Sequence, residues 1–228
     1  MSRAHVALLF ATSGHSGVDR LVANLLPEFA RIHADFDLLR IRGHGPYLDR
    51  LPDNVHDRPL HATHRNTVLP ALVRYLRRER PEALLTASHR LNRTALLARM
   101  LSRVETRVAI RMGMTLTGTV EDLGPRRGAR LLRSMRRWYL YADAVIAPSH
   151  ALGKELYRDA GVSPERLHVI ENPIVTPQFN ELACAPLFDD WFAENAPPVI
   201  LGAGSLEPRK DFATLLRAFV QVRATIPC

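Results

Sequence analysis

The sequence predicts an α/β protein: a doubly wound parallel sheet, followed by the opening of a second sheet of the same kind. Three observations carry this. Short Leu-rich or β-branched runs alternate with amphipathic helical stretches along most of the chain. The short runs are apolar nearly throughout rather than at every second position, as in strands covered on both faces. Small-residue loops lead from strand to helix twice, around Gly14 and Gly17 and again around Gly202 and Gly204.

In order, His5 to Ala11 reads as the first strand, and Val18, Leu21, Val22, Leu25, Leu26 and Phe29 recur at helical spacing after it. Asp37 to Ile41 is the second strand. Leu69 to Arg80 is a helix stopped by Pro81, and Ala83 to Ala87 a strand. Helix Leu91–Leu101, strand Arg107–Ile110, helix Arg126–Tyr141 and strand Ala144–Ala147 continue the alternation. Ser149 and Gly161 have the chemistry of an N-cap and a C-cap for the helix between them. Leu167 to Ile170 is one more short strand. Five prolines then punctuate residues 172–198, which read as a linker. A fresh apolar strand, Val199–Leu201, and a helix, Phe212–Arg223, follow. The expected organisation is a first domain over 1–172, a linker over 173–197, and the first βα unit of a truncated second domain over 198–228.

Composition narrows the function. The 228 residues are 46% hydrophobic and 24% charged, which excludes disorder, collagen and coiled coil. No stretch approaches the roughly 18 apolar residues of a spanning helix, and the apolar run Ala7–Ala11 is too short for a secretory signal. Cys184 and Cys228 are the only cysteines, so neither a disulfide framework nor paired-cysteine metal ligation is expected. A cytoplasmic chain follows as the default. The net charge of +8 favours anionic partners such as phosphates, nucleotides or acidic lipid surfaces. Nucleic acid is not among the expected partners, because the arginines are not interleaved with aromatics and no DNA- or RNA-binding signature appears.

Four groups of residues offer chemistry. The loop Ser13-Gly-His-Ser-Gly17 leads into a helix whose N-terminus offers free N–H groups to an anion, although Gly14 and Gly17 would equally suit a tight turn. A dinucleotide site is disfavoured, since a third glycine and an acid closing the second strand are both missing. The second loop, Gly202-Ala-Gly-Ser-Leu-Glu-Pro-Arg209-Lys210, ends in two cations before a helix, a sensible cradle for a diphosphate. On the helix 126–141, Arg126, Arg130, Arg133 and Arg137 share one face, opposite Leu131, Leu132, Met135, Trp138 and Tyr139. That stripe is either a solvated face or a docking surface for anionic lipid or a lipid-diphosphate acceptor. His15, His89 and His150 sit near strand ends, where a solvated or structural role is the plain reading.

Residues Ala142–Pro177, including Ala-Pro-Ser and Glu-Asn-Pro-Ile-Val-Thr-Pro, resemble the end of the first domain of family-four glycosyltransferases. Gly204-Ser-Leu-Glu-Pro-Arg-Lys-Asp-Phe, with Thr214–Phe219, resembles the start of their second domain, and Gly17-Val-Asp-Arg20 their N-terminal glycine loop. The resemblance implies a GT-B architecture of two Rossmann-like domains. It implies a retaining, metal-independent hexosyl-type transfer from a nucleotide-sugar to a cell-envelope glycan or glycolipid, peripheral at the inner face of the membrane. It places Gly17 near the sugar-diphosphate and Lys210 at the lysine that pairs with the donor diphosphate, where a cation stabilises the developing charge.

Three positions depart from the family pattern. Ser16 replaces the first of two glycines. Ser205 stands where many members have an arginine, leaving Arg209 as a substitute. Gly113 stands where many have a histidine, leaving Arg111, at a strand end, as the cleft residue. The family's paired glutamates, with seven residues between them, have no counterpart here, so the chain as given is expected to be inactive. A non-catalytic basic module that binds membranes or other polyanions is the alternative.

Overall fold

The computed structural model describes residues 3–10, 17–41, 51–62, 65–193 and 196–225. The chain divides into two compact units, Met1–Thr176 and Pro177–Cys228.

The first unit contains strands β1 (Ala4–Leu9), β2 (Ala34–Arg40), β3 (Val55–Pro59), β4 (Ala83–Ala87), β5 (Arg107–Arg111), β6 (Ala144–Ala147) and β7 (Leu167–Val169). They form one parallel sheet in the order β3-β2-β1-β4-β5-β6-β7. The doubly wound sheet predicted from the alternation is therefore present. The chain runs outward from β1 to β3, then crosses to β4 and runs the other way, so the order reverses between β1 and β4. At such a switch point the helices on either side diverge and leave a crevice at the C-terminal ends of the strands.

Helix α1 (Gly17–Arg31) covers one face of the sheet. Its Val22 and Leu26 pack with Leu8, Phe10, Phe36 and Leu38. The other face receives α2 (Arg65–Glu79), α3 (His89–Ser102), α5 (Pro125–Trp138) and α6 (His150–Ala160), which bury Leu72, Leu76, Leu96, Met135, Leu152 and Leu156 against Leu9, Leu39, Leu84, Val108 and Ile110. A short α4 (Leu116–Leu123) precedes α5. Gly124, at φ 74, turns one into the other, and Gly128 is where they cross most closely. A Cβ there would stand 2.6 Å from Val120 Cγ1.

Local chemistry explains most boundaries. Ser149 Oγ accepts from the Leu152 N–H at the start of α6, and Gly161 closes it at φ 69. Proline 81 follows the end of α2, where it cannot continue the helix. The helix expected over 126–141 is α5 from Pro125, with Tyr139–Tyr141 as a 3-10 turn. Two elements escape the sequence pattern. Strand β3 (His-Asp-Arg-Pro after Val55) buries only its first residue, and α4 is a single Thr-containing stretch of eight residues.

Inside the first unit one buried charge is fully serviced. Asp37, 1% exposed, accepts from Tyr75 OH at 2.8 Å and Arg58 Nε at 3.1 Å, with His5 Nε2 3.0 Å away. Burial pushes its carboxyl pKa up, but these three contacts outweigh burial and hold it below the usual carboxylate value.

The second unit holds α7 (Pro177–Ala183), α8 (Phe212–Arg223), and 3-10 turns at Asp190–Phe192 and Pro208–Lys210. The strand expected at Val199–Leu201 is not formed. Those residues run as irregular backbone, because no described neighbour offers a ladder to pair with. Val199 and Ile200 line, with Trp191, Phe212, Leu215 and Phe219, an open apolar groove of about 870 Å³. No helix among the described residues is long and apolar enough to cross a membrane.

Candidate functional site

The C-terminal edge of the sheet carries a second group of polar residues, around the end of β5. After β1 come residues 11–16, which lie outside the described residues, so the expectations for Gly14 and His15 are not placed. Gly17 is the first residue of α1 rather than part of the loop before it. Among the described residues a Cβ on Gly17 would meet nothing within 4 Å, and its φ is not positive. Neither packing among the described residues nor backbone conformation therefore demands glycine there.

Next along the edge, one residue joins β4 to α3. Ser88 spans that turn at φ 83, a conformation that side chains rarely adopt. Its N–H donates to the Arg111 carbonyl at 3.3 Å, and Asn92 Nδ2 donates to the same carbonyl at 3.1 Å. The end of β5 is thus pinned to the start of α3. Behind it Tyr139 OH lies 3.1 Å from His89 Nδ1, 3.4 Å from Asn92 Nδ2 and 3.0 Å from Met112 Sδ. Burial, helped by Arg93 and Arg90, pushes the His89 imidazole down to about 4, so it is neutral near pH 7. Burial likewise pushes the Tyr139 hydroxyl up. His89 is structural in this sense, and His150 is exposed at the start of α6.

Arg111 is not a surface arginine. It is 8% exposed, and its Nη2 donates to Asn172 Oδ1 at 2.5 Å. Its Nη1 lies against Gly113, where a Cβ would stand 3.1 Å away. Asn172 and Pro173 follow β7 and lie at this same edge, with the Pro173 carbonyl accepting from Asn24 Nδ2 of α1 at 2.6 Å. The Asn-Pro pair thus ties β5 and α1 together. Asn172, Asn24 and Asn92 were not singled out from the sequence. The only signal for Asn172 is its place in a Glu-Asn-Pro segment just past a strand.

The other candidates lie elsewhere. Arg126, Arg130, Arg133 and Arg137 are all exposed on α5, and none is in an ion pair among the described residues. Lys210 belongs to the second unit and is exposed at the end of a 3-10 turn. Arg209 precedes it in that turn, and its side chain lies outside the described residues. Gly204, at φ 149, packs beneath Lys210, and a Cβ there would stand 3.3 Å from Lys210 Cε. Glycine loop and lysine are therefore adjacent. Among the described residues no three His, Cys, Asp or Glu side chains converge as a metal-binding group would.

The family model for Glycosyltransferase Family 4 matches residues 15–177. No curated protein matches the chain. Among solved structures, the lipopolysaccharide outer core galactosyltransferase WaaB in its apo form is 14% identical, with a TM-score of 0.55 over 75% of this chain and 46% of its own. HepE of Anabaena in complex with UDP-glucose is 16% identical, with a TM-score of 0.52 over 73% and 43%. A glycosyltransferase from Rickettsia africae is 13% identical, with a TM-score of 0.54 over 80% and 48%. At these identities the likeness is one of fold. The chain spans about half the length of the structures it matches.

Proposed function

The chain belongs to glycosyltransferase family 4, and on that premise we propose that it serves transfer of a sugar from a nucleotide-sugar to a cell-envelope glycan or glycolipid. In this reading the transfer is retaining, of hexosyl type, and carried out at the cytoplasmic face of the membrane. The first unit receives the acceptor at the C-terminal edge of its sheet. The donor diphosphate is met by Lys210 and Arg209 rather than by a metal ion, and Gly17 faces the sugar-diphosphate.

The observation that carries the reading is Gly17. It opens α1 beside the switch point, its backbone conformation suits any residue, and nothing described crowds its Cα. Glycine at such a place leaves room for a ligand on the helix N-terminus. The complex of HepE with UDP-glucose is a fold neighbour that holds a donor of the proposed class. The test is a calorimetric titration with UDP-, GDP- and ADP-sugars. One nucleotide-sugar is expected to bind selectively. Gly17→Val is expected to abolish that binding and leave Tm unchanged, and Lys210→Ala to weaken it. Equal, salt-sensitive binding of every polyanion would overturn the reading in favour of a non-catalytic basic module.

The exposed stripe on α5 supports the membrane side of the proposal. Leu140 and Tyr141, both exposed, follow it directly. Each arginine near an acidic surface contributes about 1 kcal/mol, so Arg130→Glu with Arg133→Glu is expected to release the chain from phosphatidylserine vesicles in a sedimentation assay. Unchanged sedimentation would leave the stripe a solvated face.

A further inference from the structure

Of the buried charged residues of the first unit, Asp19, Asp37 and Arg111, the last two are treated differently. Asp37 has a tyrosine, an arginine and a histidine around it. Arg111 has a single neutral partner, the Asn172 amide. No ion pair among the described residues includes Arg111. Glu155, on α6, spends its oxygens on Leu116 N at 2.7 Å and Thr117 Oγ1 at 2.6 Å. Glu171, the neighbour of Asn172 in sequence, is exposed and makes no pair with Arg111. Residues 11–16, between β1 and α1, contain no acid in sequence. Burial is the only influence on the guanidinium pKa, and it acts downward.

A desolvated cation persists in folded proteins when a counter-charge meets it. No ion pair or side-chain hydrogen bond among the described residues brings a carboxylate to Arg111. Arg111 Nη2 is committed to Asn172, which holds the guanidinium plane, while Nη1 and Nε have no protein acceptor among the described residues. Nη1, at the free end of the guanidinium, has N–H groups to offer an anion oxygen, and Nε–H points to the other side. The missing side chain at Gly113 leaves Nη1 uncovered on one side. The backbone of Arg111 is held by Ser88, at the cap of α3, and by Asn92, and its guanidinium by Asn172, so the side chain is positioned before any ligand arrives.

We infer that Arg111, oriented by Asn172 and uncovered by Gly113, is a binding site for an oxyanion, a phosphate or carboxylate carried by the acceptor. Only the word acceptor rests on the proposed transfer reaction; oxyanion binding does not.

The test is thermal unfolding of the full chain titrated with inorganic phosphate, and separately with acetate, at constant ionic strength. Saturable stabilisation by one of the two is expected, and which one identifies the anion. Arg111→Gln is expected to weaken it about tenfold or more, as befits loss of a charge-assisted pair. Arg74→Gln, an exposed arginine on α2, is expected to leave it in place. Should Arg111→Gln fail to fold, Gly113→Ala decides, because its methyl crowds Nη1 without touching the core; several-fold weaker binding is expected. Identical, non-saturating shifts in all variants would overturn the inference. Saturable phosphate binding at Arg111 with no nucleotide-sugar binding would keep this site and sink the proposed transfer, and the reverse pattern would do the opposite.

Discussion

Helices α3 and α8 carry similar patterns of apolar residues, yet they end in opposite circumstances. On α3, Leu91, Ala95, Leu96 and Ala98 disappear into the core beneath β4 and β5. On α8, no residue is buried, and Leu216 and Val220 stay 63% and 68% exposed. The second unit as a whole contains no buried residue and no strand among those described. The difference lies in the receiver. Periodicity fixes which face a helix offers, and a sheet with matching apolar positions decides whether that face is taken up.

The comparison is broken most directly by truncating matched leucines. Leu96→Ala is expected to cost about 2–5 kcal/mol, while Leu216→Ala is expected to stay within about 0.5 kcal/mol. Urea unfolding of the two variants measures both, and a comparable loss in the second would mean that α8 shares a core after all. Acid sharpens the contrast further, because the buried titrating groups are in the first unit. His89 is held neutral, with its pKa lowered from 6.5 to about 4. Its contribution is complete above pH 6.5 and is lost as pH falls through 4. Asp37, held below 3.8, contributes above that value and fails only at lower pH. Tm followed by near-UV circular dichroism is expected to fall in two stages, and His89→Gln to remove the first. The smallest effect tests the strained turn beside Arg111. Holding a non-glycine at φ 83 costs on the order of 1 kcal/mol, partly offset by glycine's greater freedom when unfolded. Ser88→Gly is thus expected to raise Tm by about 1–3 °C, measured by differential scanning calorimetry.

Sequence reading succeeds where the cause is local. Ser149 and Gly161 announce both ends of α6, and the apolar runs announce the central strands β1, β4, β5 and β6. It fails where the cause is a partner far along the chain. His56-Asp57-Arg58 has no apolar rhythm, because β3 is an edge strand held by pairing with β2. Val199–Leu201 has the composition of a strand and no ladder to join. At the candidate site, Arg111 was visible as a strand-end cation, but its burial depends on Asn172, 61 residues later. Gly17 and Lys210 were legible as motif residues. Asn172 was legible only within its Glu-Asn-Pro motif, and Asn24 and Asn92 were not, since each acts through a contact remote in sequence.

The bond from Asn24 to the Pro173 carbonyl spans 149 residues, the longest loop that the described side-chain contacts close. Closing so long a loop is entropically slow and comes after local contacts have formed. During synthesis, β1, β2 and α1 leave the ribosome long before residue 173 exists, whereas the strand pairs need only their neighbours. The edge that gathers Gly17, Arg111 and Asn172 is therefore the last part of the first unit to be assembled. A nascent chain halted after α6 would have most of its sheet in place and none of its latch, so forming the sheet and closing its edge are separate events in the making of this molecule.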